Sequence, residues 1–292
     1  MHEAQAAREP KCCDKGCSKG YFLNHQAQPV NQYIRFFHQV MRLATRDLSL
    51  LRHWLNRRAD ASPPDPGPTT DSAQRLCHPL PGDVLLARPA RTVLVEQIWQ
   101  RTAVSREQFA QLYLAPLQRY AHLVQEFPAS QDGHYRYAGG MLDQALHRVI
   151  CALRLRQACL LPAGAPPEEQ AEQAEAWTAA VAYAVLLQDL GKLVVDLRVE
   201  HDDGTPWRPW QGPLQRPYRV HYPAERPYRL QAAATALLHV HVLDPELLTW
   251  LSSYDVLWTQ MLYMMSGQEA HADILGDLAF QAAQAVADQA AC

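Results

Sequence analysis

Long apolar runs are missing from this chain. None approaches the ~18–20 consecutive residues that a membrane-spanning helix needs, so no membrane insertion is expected. The segment Met1 to Lys19 is polar and has no apolar core of a secretory signal, which points to the cytoplasm. Glycine is scarce, 13 of 292 residues, and there is neither an internal repeat nor a Gly-rich phosphate loop. An excess of positive charge is also lacking. With 27 Lys and Arg against 30 Asp and Glu, the net charge is −3, so any nucleic-acid surface must be local. The seven cysteines (Cys12, Cys13, Cys17, Cys77, Cys151, Cys159 and Cys292) form an odd, scattered set, read as free thiols rather than a disulfide framework.

What is present suits a packed, helical protein. Hydrophobic residues make up 48% and charged residues 20%, enough apolar mass for a core. Residues 1–30 read as a disordered tail. Its Cys12, Cys13, Cys17 and His25 match no standard zinc spacing. Residues 31–58 read as a separate amphipathic helix, with Ile34, Phe37, Met41, Ala44, Leu48, Leu51 and Leu55 at 3/4 spacing. Its other flank carries Arg35, Arg42, Arg46, Arg52, Arg57 and Arg58, a solvated face or a contact for DNA or an acidic partner. Residues 59–76 are a Pro-rich linker.

The main domain, 77–292, reads as all-α. Helices are expected over Arg91–Ala103, from a Ser105 cap with Gln108 in capping-box position to about Phe127, and over Gly139–Leu160. Others are expected over Glu168–Asp189 with Gly191 as a left-handed C-terminal cap, over Leu230–Leu243, after Asp244-Pro245, and over Glu269–Ala290. Residues 206–229 interrupt them as an irregular arm rich in Pro, Arg, Tyr and Trp.

The string Leu186-Leu187-Gln188-Asp189-Leu190-Gly191-Lys192 resembles the His-Asp-Leu-Gly-Lys signature of HD-domain phosphohydrolases. Further blocks extend the match in order: Arg119–Ser130, Ala138-Gly139-Gly140 to Leu146, Leu161-Pro162 to Trp177, Trp207–Gly212 and Trp250-Leu251-Ser252. Over about Leu80 to Ala287 the chain resembles the N-terminal domain of the TraI/MobH-type relaxases of conjugative plasmids and integrative elements. The resemblance implies an HD-like helical bundle, conjugative DNA processing, and a divalent metal held by His and Asp residues.

The departures fall on the metal positions. Where the family carries histidines this chain has Gln144 and Gln188, and Ala283 stands where an aspartate is expected. No His occurs near Leu230-Gln231; His134, Asp189, Lys192 and Asp196 are retained. A glutamine amide is a poor ligand for Zn, Mn or Fe beside imidazole or carboxylate. The expectation is therefore a vestigial site without metal, cofactor or catalysis, with Asp189 paired to Lys192. The alternatives are a metal-dependent nickase or phosphohydrolase with rearranged ligands, to which His147 could contribute, and a decayed relaxase fragment. His239 and His241, two apart, are read as packing residues.

The arm 206–229 offers a second type of chemistry. Five arginines face one acid, Glu225, with aromatic rings between them, the pairing a single-stranded nucleic-acid groove uses. Arg208, Trp210, Arg216, Tyr218, Arg219 and Arg226 are the candidate contacts. The expected partners are single-stranded or transfer-origin DNA, or a protein of the conjugation machinery.

Overall fold

The computed structural model of the chain describes residues 75–290. The tail 1–30 with its cysteines and His25, the helix expected over 31–58, all but the end of the linker 59–76, and Cys292 lie outside the described residues.

The described residues form an all-α fold carrying one small antiparallel strand pair. Helices α1 (Gly82–Leu86) and α2 (Pro89–Trp99) lead to α3 (Arg106–Phe109). The capping box forms as the sequence indicates: Ser105 Oγ accepts from the Gln108 amide, and Gln108 Oε1 accepts from the Ser105 amide. A π-helical turn, Ala110–Leu114, then joins α3 to α4 (Ala115–Val124). Pro116 explains the widened turn, because it has no N–H for the Leu112 carbonyl four residues back. The Tyr183 hydroxyl donates to that carbonyl instead.

Helix α5 (Gly140–Gln157) begins at the Gly139-Gly140 pair, and each glycine has its own reason. Gly139 has φ +86°, and a Cβ there would lie 2.3 Å from Arg91 Nη2. At Gly140 a Cβ would lie 2.1 Å from the Tyr135 carbonyl oxygen. Arg91 is 3% exposed and ties α2 to this corner, donating to the carbonyls of Leu85 and Gly139 and to Asp143 Oδ1 at 2.6 Å.

Helix α6 (Pro167–Gln188) is the centre of the fold. From Ala176 to Leu187 nearly every side chain is buried, so the helix is apolar all round rather than striped. α5, α10 (Asp255–Met265) and α11 (Asp273–Ala290) pack against it, and α11 also packs along α5. Within Pro167–Val195 the most apolar 18 residues have mean hydropathy 1.4, so by length and composition the sequence does hold one helix apolar enough to cross a membrane, where none was expected. In this fold 72% of that window is buried, the composition a central core helix requires.

After α6 the chain turns into the short α7 (Lys192–Val195). Gly191 is not the left-handed cap expected from the sequence, since its φ is −61° and ψ −22°. It is a contact glycine: a Cβ would lie 1.8 Å from the Gln231 carbonyl oxygen. Strand β1 (Arg198–His201) pairs with β2 (Tyr218–His221), with Val199 opposite Val220 and Glu200 opposite Arg219. The arm is thus more ordered than the sequence indicates. Tyr218 is buried edge-on against Phe127, 5.7 Å between ring centres, and Trp207 packs on the same ring.

The single helix expected over Leu230–Leu243 is broken. A 3-10 turn (Tyr228–Leu230), α8 (Gln231–Thr235) and a second 3-10 turn (His239–His241) replace it. Helix α9 (Pro245–Ser252) starts as expected, with Asp244 accepting from the Leu247 amide and Pro245 in the first turn. The last helix, expected from Glu269, is preceded by a 3-10 turn (Glu269–His271) and begins at Asp273.

Candidate functional site

The C-terminal end of α6 delivers Gln188 and Asp189 to a polar position inside the helical core. Asp189 Oδ2 accepts from Arg148 Nη1 of α5 at 2.6 Å and lies 3.0 Å from Lys192 Nζ, one turn further along its own chain. The side chains of Arg148 and Asp189 are only 12% and 16% exposed, so this contact is shielded from water. Burial alone would raise the Asp189 carboxyl; Lys192 and Arg148 outweigh it and hold the pKa below the ordinary carboxylate range.

Several buried polar atoms of α4, α5 and α6 have no hydrogen-bond partner among the described residues. They are Gln188 Oε1, Gln144 Oε1, Arg148 Nε and the Tyr120 hydroxyl. Tyr120 is fully buried, and its pKa is raised by that burial and by the charge of Asp189, partly offset by Arg148. Gln188 Nε2 donates to Glu269 Oε2 at 2.9 Å, which ties α6 to the turn before α11. Gln144 sits one helical turn before Arg148, on the same face of α5. Ala283 is half-buried on α11, the helix that packs over both α5 and α6.

The other retained residues are elsewhere. Asp196 is 8% exposed and accepts from Gln231 Nε2 at 2.6 Å, a clasp between the end of α7 and α8. His134 is exposed and meets Tyr135 edge-on, while Tyr135 Oη lies 3.1 Å from His147 Nδ1. His147 is therefore held by tyrosine, and burial lowers its pKa against the opposing charge of Asp143. His239 Nδ1 lies 2.9 Å from its own turn's Ala236 carbonyl oxygen. Among the described residues, no group of three or more His, Cys, Asp and Glu is placed to hold a metal ion. Cys77, Cys151 and Cys159 are free thiols.

The arm residues separate into two kinds. Tyr218, expected to stack on a base, is 1% exposed and presents no ring face. Arg216 is held by Asp203 at 2.9 Å and by Thr205. Arg226 donates to Gln131 and lies over Tyr222 and Tyr228, 5.4 and 5.5 Å from their ring centres. Arg219 is half-buried on β2, and Arg208 and Trp210 are exposed at the edge.

Two residues central to this geometry, Arg148 and Tyr120, were not singled out by the sequence. Arg148 could have been found from its i, i+4 relation to Gln144, which puts both on one helix face. Nothing in the local sequence indicates that the buried Tyr120 would lie beside Asp189.

No curated protein matches the chain. A family model, TraI_2, described as "Putative helicase", matches residues 76–291, which include all of the helical core and the site around Asp189. The match spans most of the chain, and the protein belongs to the TraI_2 family.

Proposed function

We propose that this protein is a relaxase-like member of its family that works in conjugative DNA transfer as a non-catalytic DNA-binding or partner-binding component. The observation that carries this reading is the occupancy of Asp189. Its carboxylate already faces a guanidinium and an ammonium, at 2.6 and 3.0 Å, and its neighbour is a glutamine. In an HD-like arrangement that carboxylate would face a divalent cation, with imidazoles completing the shell. Here the compensating positive charge comes from the protein itself.

DNA binding is supported by the exposed edge of the arm, where Arg208, Trp210, Tyr228 and Arg229 face solvent. The test uses the full chain purified without chelator. The expected result is far less than one equivalent of Mn, Fe or Zn, no cleavage of a strand carrying the transfer origin, and DNA affinity that falls as salt rises. Stoichiometric metal together with strand cleavage would overturn the non-catalytic reading. Absence of any salt-dependent DNA binding would overturn the DNA-binding role.

A further inference from the structure

A groove runs between α7, β1 and the segment 206–210, and it holds a cavity of about 90 Å³. Leu193, Leu197 and Trp207 line its depth and are themselves almost fully buried. The rim is different in kind: Arg198, Arg208 and Trp210.

The two tryptophans of this segment have different surroundings. Trp207 is 5% exposed, and its indole N–H donates to the Gly212 carbonyl at 3.0 Å. Trp210 is 49% exposed, with the Arg208 guanidinium 5.9 Å from its ring centre. Burial and hydrogen bonding account for Trp207 as a core residue; they do not account for Trp210. Among the described residues Arg208 has no carboxylate partner. Arg198 is paired with Glu200 at 3.1 Å, but its side chain is 69% exposed, so that pair is weak and easily exchanged. Glu200 still tempers the charge on that side, which leaves Arg208 as the stronger anion contact.

We propose that the mouth of this groove seats one base of a single-stranded nucleic acid, stacked on Trp210, with the adjoining phosphate between Arg208 and Arg198. The ligand such a place fits is flat and apolar on one part and anionic on the next. A nucleotide unit has both features; an acidic peptide supplies the charge but leaves the Trp210 ring uncovered. This inference rests on the DNA-binding part of the proposed function and names the seat within it. Arg198 lies outside the basic arm that the sequence singles out, and Tyr218 inside it takes no part.

The test is fluorescence anisotropy of a labelled oligothymidylate on the full chain, beside an abasic oligonucleotide of equal length. The wild type should bind the abasic strand more weakly. Trp210→Ala should weaken oligothymidylate binding about 5- to 150-fold, as expected for one stacked base. Trp210→Phe should restore much of that loss. On the abasic strand Trp210→Ala and wild type should be equal. Arg208→Ala should flatten the salt dependence by a log–log slope of about 0.7, one phosphate contact. Equal binding of both strands by the wild type, a comparison that requires no variant to fold, would overturn the base seat and leave the electrostatic DNA role standing. Failure to bind either strand would overturn both. Binding of a polyglutamate peptide with the same dependence on Trp210 would assign the groove to an acidic protein and overturn the nucleic-acid reading.

Discussion

Arg148 on α5 and Asp189 at the end of α6 meet at 2.6 Å, 41 residues apart in the chain, with both side chains mostly buried. Removing one member of a shielded ion pair leaves the other charge desolvated, at a cost of about 3–5 kcal/mol. Lys192 remains beside Asp189, so Arg148→Ala is expected to cost about 3 kcal/mol, near the low end. Urea unfolding of the wild type and the variant checks this. The triple variant Arg148→Met, Asp189→Leu, Lys192→Met should recover most of the loss, because it leaves no member of the triad unpaired.

The His147 imidazole gives a pH signature. Its pKa is lowered in the folded state, by burial first, so the unfolded chain binds the proton more readily. A depressed pKa contributes stability above the unfolded value, and that stability is lost as pH falls. Below the ordinary histidine range of about 6.5, thermal stability should therefore decline. His147→Phe should remove that part of the slope in melts recorded across the mildly acidic range; an unchanged slope would mean another group is responsible.

Gly191 separates two readings of one residue. A left-handed cap would tolerate Asn, and a contact glycine would not. With φ −61° and the Gln231 carbonyl 1.8 Å from a built Cβ, both Gly191→Ala and Gly191→Asn should destabilise, by about 1–3 kcal/mol for overpacking. The shift should part α7 from α8 and loosen the Asp196–Gln231 clasp. Thermal melts of the two variants test it, and stability unchanged in Gly191→Asn would restore the cap reading.

Tyr183→Phe removes the hydroxyl that serves the Leu112 carbonyl beside the π-helical turn. Leaving a buried acceptor without that donor should cost about 1–3 kcal/mol. The effect should appear as faster amide hydrogen exchange through residues 110–117 as well as a lower melting temperature.

Local features were legible because their physics is local. The Ser105–Gln108 capping box and the Asp244-Pro245 start each join residues at most three apart, and the structure contains both. The apolar, Ala-rich run of α6 also announced a helix by composition, though the same composition could not say whether protein or lipid would surround it. Packing decided that, by laying α5, α10 and α11 against it. Tertiary structure alone likewise decided that Tyr218 faces Phe127 instead of solvent, and that the segment 230–243 breaks into short turns. It also set Arg148 opposite Asp189, and made Gly191 necessary through the Gln231 backbone rather than through its own φ. Each of these depends on a neighbour 40 or more residues away or on which side of an element is covered. Local sequence determines the bonds a turn makes with itself; the partner of a buried charge is determined only when distant helices close around it.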